Sequence, residues 1–167
     1  MHVFQPFHIE DIDINPFQKL KNEWALVTAG THEKFNTMTI SWGGFGVLWN
    51  KNVAFIFIRE SRYTKELLDS HDFFSISFLS SAYKDALEVC GSRSGRDVDK
   101  FAKAGLTPAF RHKIPYPDEA NFVLLCNKLV ELPISEDKLG NGLLNKFYKD
   151  KDFHTMYVAE IIESMAR

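Results

Sequence analysis

The sequence predicts a mainly β fold, a barrel decorated with a few short α-helices, and three observations carry that expectation. Aromatic residues make up 14% of the chain, and 15 of them are Phe. Such flat side chains pack well on a pleated sheet. Apolar runs of strand length recur between Gly, Asn and Asp punctuation, while helix-like patterns stay short. A Phe-rich sheet also needs its edges hidden, which closure on itself achieves. At 167 residues, with no internal repeat or low-complexity linker, residues 1–167 read as one domain.

The elements follow in chain order. The opening through Pro16 reads as an arm or first strand laid on the body. Trp24 to Thr31 is an apolar strand closing on Gly30. Phe35 to Trp49 is strand-like but interrupted by Gly43, Gly44 and Gly46, which suggests a bulge or a close backbone approach. Val53 to Ile58 is unbroken apolar sequence, as in a strand covered on both faces. In Phe73 to Leu79, Phe74, Ile76 and Phe78 alternate with Ser75 and Ser77. Phe122 to Leu132 and Phe153 to Met165 are two further strands. Three short helices are expected: one capped by Thr64, one capped by Ser80 or Ser81 and ending at Gly91, and one capped by Asp97 and stopped by Gly105.

Charge and cysteine content narrow the function. Twenty Lys and Arg stand against 22 Asp and Glu, a net charge of −2, too little positive charge for a nucleic-acid surface. Cys90 and Cys126 form no CxxC, so a reducing cytoplasm is expected rather than a disulfide scaffold. The six histidines form no HxxxH or HxxH pair, and no metal site is expected. No run is apolar and long enough to span a bilayer, so no membrane association is expected.

Three clusters carry candidate chemistry. In Asn36-Thr37-Met38-Thr39-Ile40-Ser41-Trp42, a strand sends Thr37, Thr39 and Ser41 to one face. That row of hydroxyls suits a polar heterocycle or a phosphate, and equally a solvated Thr/Ser face. Arg59-Glu60-Ser61-Arg62-Tyr63-Thr64 places two cations and two small hydroxyls where an apolar strand gives way to a helix. A helix start with forked guanidinium donors suits a phosphate monoester. An ordinary solvated turn has the same composition. Cys90 to Phe101 is a Gly/Ser/Arg loop running into a helix start, without the spacing of a nucleoside-triphosphate loop.

In order and spacing, NTMTISWGGFGVLW, RESRYTKELL and CGSRSGRDVDKF resemble the flavin-reductase-like family of FMN-binding split barrels, the group that includes flavoredoxins. The resemblance implies an antiparallel Greek-key split barrel that dimerises and binds FMN non-covalently beside the dimer interface. It implies that Asn36, Met38, Thr39, Ser41 and Trp42 line the flavin, and that Arg59, Ser61, Arg62, Tyr63 and Thr64 hold its phosphate. Ser94, Gly95, Arg96 and Lys100 would add further contacts. The expected activity is NAD(P)H-dependent flavin reduction, with hydride or electrons passing through FMN and no catalytic side chain. The alternatives are a flavoredoxin-type carrier served by a redox partner protein, and a non-enzymatic flavin- or haem-binding barrel.

Overall fold

Ser41 and Trp42 are the whole connection between two strands at opposite edges of one sheet, and this forces the sheet to roll up. The computed structural model describes residues 2–140 and 142–167. Its strands are β1 (Gln5–Phe7), β2 (Ala25–Gly30), β3 (Phe35–Ile40), β4 (Gly43–Leu48), β5 (Lys51–Arg59), β6 (Phe73–Phe78), β7 (Pro108–Arg111), β8 (Ile114–Pro117), β9 (Phe122–Pro133) and β10 (His154–Ala166). Eight form one antiparallel sheet in the order β3-β2-β6-β9-β10-β5-β4, with β1 added to β10. Strands β6, β9 and β10 are neighbours in turn, and the earlier β5 lies beside β10, which is Greek-key connectivity. Among the described residues no ladder joins β3 to β4, so the rolled sheet is left open along that line.

Period-two alternation divides the side chains between two cores. Ala25, Val27 and Ala29 of β2, with Phe74, Ile76 and Phe78 of β6, point into the rolled sheet. Leu26 of β2 and Val123 and Leu125 of β9 point outward, into a second cluster with Leu87, Cys90, Phe101 and Tyr116. The expected alternation in β6 is therefore present, but Ser75 and Ser77 face this second core and are fully buried. Ser75 Oγ donates to the Pro115 carbonyl of the β7–β8 hairpin at 2.7 Å. That hairpin covers the outer face of the sheet and has no counterpart among the expected strands.

Strand β5 is not covered on both faces as its composition suggests. Val53, Ala54, Ile56 and Ile58 are buried, whereas Phe55 and Phe57 are half-buried. Phe57 is left toward a cavity, and the Phe55 ring lies against Gly44 and Gly46 of β4. Gly43 meets the predicted close approach: a Cβ there would lie 2.4 Å from the Phe55 carbonyl oxygen.

The helices are α1 (Pro16–Gln18), α2 (Tyr63–Ser70), α3 (Lys84–Ser92), α4 (Lys100–Ala104) and α5 (Leu143–Phe147). Asn15 caps α1 by accepting from Phe17 and Gln18 amides, with Pro16 in the first position where its missing N–H costs nothing. Three expected caps are displaced. The cap position of α2 is Arg62; Thr64 sits inside the first turn, its hydroxyl accepting from Asn36. Ser80 precedes a 3₁₀ turn at Ser81–Tyr83 without a side-chain bond, and α3 runs through Gly91 to Ser92. Gly91 lets α3 approach β3, since a Cβ there would stand 3.3 Å from Thr39 Cβ. Asp99 rather than Asp97 caps α4, accepting from the Ala102 amide at 3.2 Å. Gly105 stops α4 as expected, at φ 66°.

Candidate functional site

Arg62 lies where two cavities meet. One, of about 150 Å³, is lined by Met38, Ser41, Trp42, Phe57 and His154; the other, of about 210 Å³, by Ser61, Tyr63, Thr64, Arg93 and Lys100. Arg59 and Arg62 line both. A third cavity of about 450 Å³ lies beyond Thr39, Ile40 and Ser41, against Trp24, Leu87 and Ser92. The corner from Thr39 to Ser41 thus borders cavities on two sides.

The corner is held from behind by its own hydroxyls. Thr37 Oγ1 donates to the Val27 carbonyl and is paired with the Thr28 hydroxyl. Thr39 Oγ1 donates to the Leu87 carbonyl of α3 at 2.5 Å. The hydroxyls of Thr37 and Thr39 therefore tie β3 to β2 and α3, and polar contacts to a ligand fall to Ser41 and the backbone. The wall of the first cavity here is formed by the run from Met38 to Trp42, Thr39 and Ser41 included.

The second cavity is rich in cations. Arg62 Nη1 donates to the Gly91 carbonyl at 2.9 Å, which turns the guanidinium toward α3. Lys100, 4% exposed, donates from Nζ to the Cys90 carbonyl at 2.8 Å. Burial, reinforced by the nearby Arg62 charge, pulls the Lys100 ammonium down to about 8. Arg59 donates to the carbonyls of Asp152 at 2.7 Å and Phe147 at 3.0 Å, and lies over the Tyr148 ring. Four cations, a helix start and Ser61, Thr64 and Ser94 hydroxyls form a donor set matched to phosphate.

The segment between β9 and β10 closes the other side. The rings of Phe147 and His154 lie 5.7 and 5.1 Å from that of Trp42. His154 Nδ1 is hydrogen-bonded to the Tyr148 hydroxyl at 2.8 Å. Burial, with the Arg59 and Arg62 charges beside it, pulls His154 down to about 4, so the ring is neutral at pH 7.

Of the residues expected from the sequence, Met38, Thr39, Ser41 and Trp42 line the first cavity. Arg59, Ser61, Arg62, Tyr63, Thr64, Ser94, Gly95 and Lys100 line the second. Asn36 and Arg96 stand outside both. Asn36 is buried beneath Gly95 and donates to Thr64. Arg96 lies over Tyr63, pairs with Glu66 and donates to the Ser61 carbonyl. Phe57, Arg93, Asp152 and His154 were not singled out by sequence. Arg93 sits within the third cluster; the others belong to strands or a loop without a motif.

Both cysteines are free and buried, and burial pushes the Cys90 thiol up to about 11. Among the described residues no group of three or more His, Cys, Asp or Glu is placed to hold a metal ion. Nor is any helix among them long and apolar enough to cross a membrane.

The likeness to solved structures extends over most of the chain. A flavoredoxin from Methanosarcina acetivorans is 22% identical with a TM-score of 0.70, over 95% of this chain and 76% of that one. An FMN-binding domain of a flavin reductases-like enzyme from Shewanella baltica gives 17% and 0.71, over 99% and 79%. The NADH:FAD oxidoreductase of Streptomyces globisporus gives 16% and 0.63, over 87% and 75%. A search of curated protein sequences finds no match. A family model described as Flavin reductase like domain matches residues 17–166. With that span covering every strand of the rolled sheet but β1 and every cavity-lining residue above, the chain belongs to the flavin-reductase-like family.

Proposed function

We propose that this chain binds FMN and acts as an NAD(P)H-dependent flavin reductase. The observation that carries this reading is the junction at Arg62, where a cavity walled by Trp42, Phe57 and Met38 opens beside a cation-lined cavity at the start of α2. The first suits a flat conjugated ring and the second a phosphate monoester, the two ends of FMN.

FMN, when bound, supplies a ring that accepts a hydride and releases electrons in pairs or singly. The protein supplies position and field. Arg59, Arg62, Arg93 and Lys100 neutralise the phosphate, and Trp42 and Phe57 keep water from the ring. His154, neutral at pH 7, adds no charge, so Arg59 and Arg62, which line both cavities, would supply the positive potential beside a bound flavin. No side chain is assigned an acid–base step.

The absorption spectrum of the protein titrated with FMN, FAD and riboflavin tests the reading, followed by anaerobic NADH and NADPH. FMN binding with fast bleaching by either nicotinamide supports a reductase. A bound FMN that nicotinamide leaves oxidised favours the electron-carrier reading, which fits the likeness to the flavoredoxins. Haem absorption without flavin binding defeats both.

We propose further that two copies pair. Val47, 71% exposed, lies on the unpaired edge strand β4, and Trp49, 63% exposed, follows it in the turn to β5. An apolar edge strand of this kind invites covering by a second chain. Sedimentation at micromolar concentration tests it, and a monomer with FMN fully bound overturns it. Two buried, unpaired thiols fit a cytoplasmic location.

A further inference from the structure

We propose that the carboxylate of Asp152 is a built-in counter-ion of the cation-lined cavity, which a phosphate group must displace in order to bind. Asp152 would then set both the affinity of the cavity for phosphate esters and its preference over uncharged analogues. The inference rests on the phosphate-binding reading given above.

Asp152 lies two residues before β10, at the end of the long excursion from β9. Its Oδ1 accepts the Ser61 backbone N–H at 3.0 Å, and its Oδ2 accepts the Ser61 hydroxyl at 2.6 Å. One amide and one hydroxyl, side by side at a helix start, are the fork that suits two oxygens of a phosphate. The same residue is held from its backbone, where Arg59 Nη1 donates to its carbonyl at 2.7 Å. Among the described residues lining the cavity, Asp152 is the lone acid, facing Arg59, Arg62, Arg93 and Lys100.

A phosphate dianion and this carboxylate cannot share the Ser61 donors, and side by side they repel. The contact is solvent-accessible rather than locked in the core, so the side chain can rotate away while Arg59 keeps the main chain in place. Riboflavin brings no charge to the cavity and leaves the carboxylate where it is. Part of the gain from phosphate binding is therefore lost to displacement, which keeps a phosphate ester exchangeable.

The test uses Asp152→Asn, which keeps an oxygen for the Ser61 amide and removes the charge. The unmodified protein and the variant are titrated with FMN, riboflavin and inorganic phosphate. The inference requires affinity for phosphate, and for FMN if FMN binds at all, to rise about ten-fold in the variant, with riboflavin unchanged. Equal or weaker FMN and phosphate binding overturns it, because Asp152 would then be orienting Ser61 or standing apart from the ligand. If no flavin binds either protein but phosphate binds the variant more tightly, the inference stands and the flavin reading falls. If both proteins bind FMN equally, the flavin reading stands and the inference falls. Should the variant fail to fold, the Asp152 carboxylate carbon resonance of the unmodified protein decides: phosphate must shift it, and an unmoved signal overturns the inference.

Discussion

Asn36 Nδ2 donates to the Thr64 hydroxyl at 2.8 Å, linking β3 to the first turn of α2 across 28 positions of sequence. Both residues are buried, 5% and 1% exposed. This one bond registers the corner at Thr39–Ser41 against the cation-lined start of α2, so on the proposed reading it affects binding at both cavities. Asn36→Ala leaves a buried hydroxyl without its donor and is expected to lower apo stability by about 1–3 kcal/mol. Denaturant unfolding measures that loss. FMN and riboflavin affinity should fall together, because the misalignment affects the whole site.

Arg62→Ala separates charge from packing. The guanidinium reaches one carbonyl, that of Gly91, and lines both cavities without belonging to either core. The apo melting temperature should change little. FMN affinity should drop by about ten- to a hundred-fold, the scale of one lost charge-assisted contact, while riboflavin affinity barely moves. Lysine at this position should recover only part of the loss, since an ammonium cannot donate paired bonds. Calorimetric titration of both ligands against both variants reads the result, and unchanged FMN affinity would move the phosphate toward Lys100.

Gly95→Ala tests the loop above Asn36. A Cβ at this position would lie 2.2 Å from Asn36 Oδ1 and 2.7 Å from Tyr63 Cδ1. Asn36 is fixed by Thr64, so the loop from Arg93 to Asp99 must lift. Ser94 and Lys100 move with it, and FMN affinity is expected to fall at least about ten-fold with a modest loss of stability. Stopped-flow binding that matches the unmodified protein would mean that the loop does not shape the site.

His154 predicts a pH dependence of folding. Its folded value lies near 4 because of burial and the Arg59 and Arg62 charges, against an ordinary 6.5. The unfolded chain therefore binds a proton that the folded one refuses once the pH falls below about 6.5. The stabilisation is complete above that pH and is lost progressively down to about 4. His154→Gln, which cannot titrate, should remove this component, worth up to roughly 3 kcal/mol. Unfolding curves of both proteins at pH 7, 5.5 and 4.5 test it. Parallel losses would place the acid sensitivity elsewhere.

Strand positions and the residues that line the two candidate cavities can be picked out from local sequence, because a period of two and the chemistry of Arg, Ser and Gly are local properties. The alternation Phe74-Ser75-Ile76-Ser77-Phe78 announces β6, and the RESRYT run announces a phosphate-matched helix start. Which face of a strand meets solvent is not a local property. Ser75 and Ser77 are polar yet wholly buried, because the β7–β8 hairpin arrives from 40 residues downstream to accept the Ser75 proton. Thr39 offers a hydroxyl that composition would aim at a ligand, and a carbonyl 48 residues away has already taken it. Arg96 shows the same limit: its charge is visible in the sequence, but its partner Glu66 is not, and the pair stands outside the cavity. His154, Phe57 and Asp152 enter the site only because β10 pairs with β5 and the loop before it folds back on Ser61. Hydrogen bonds between distant segments are settled when the sheet rolls, since Ser75 and Thr39 take the carbonyls that the rolled sheet brings within reach, while Ser77 Oγ is buried with no partner among the described residues.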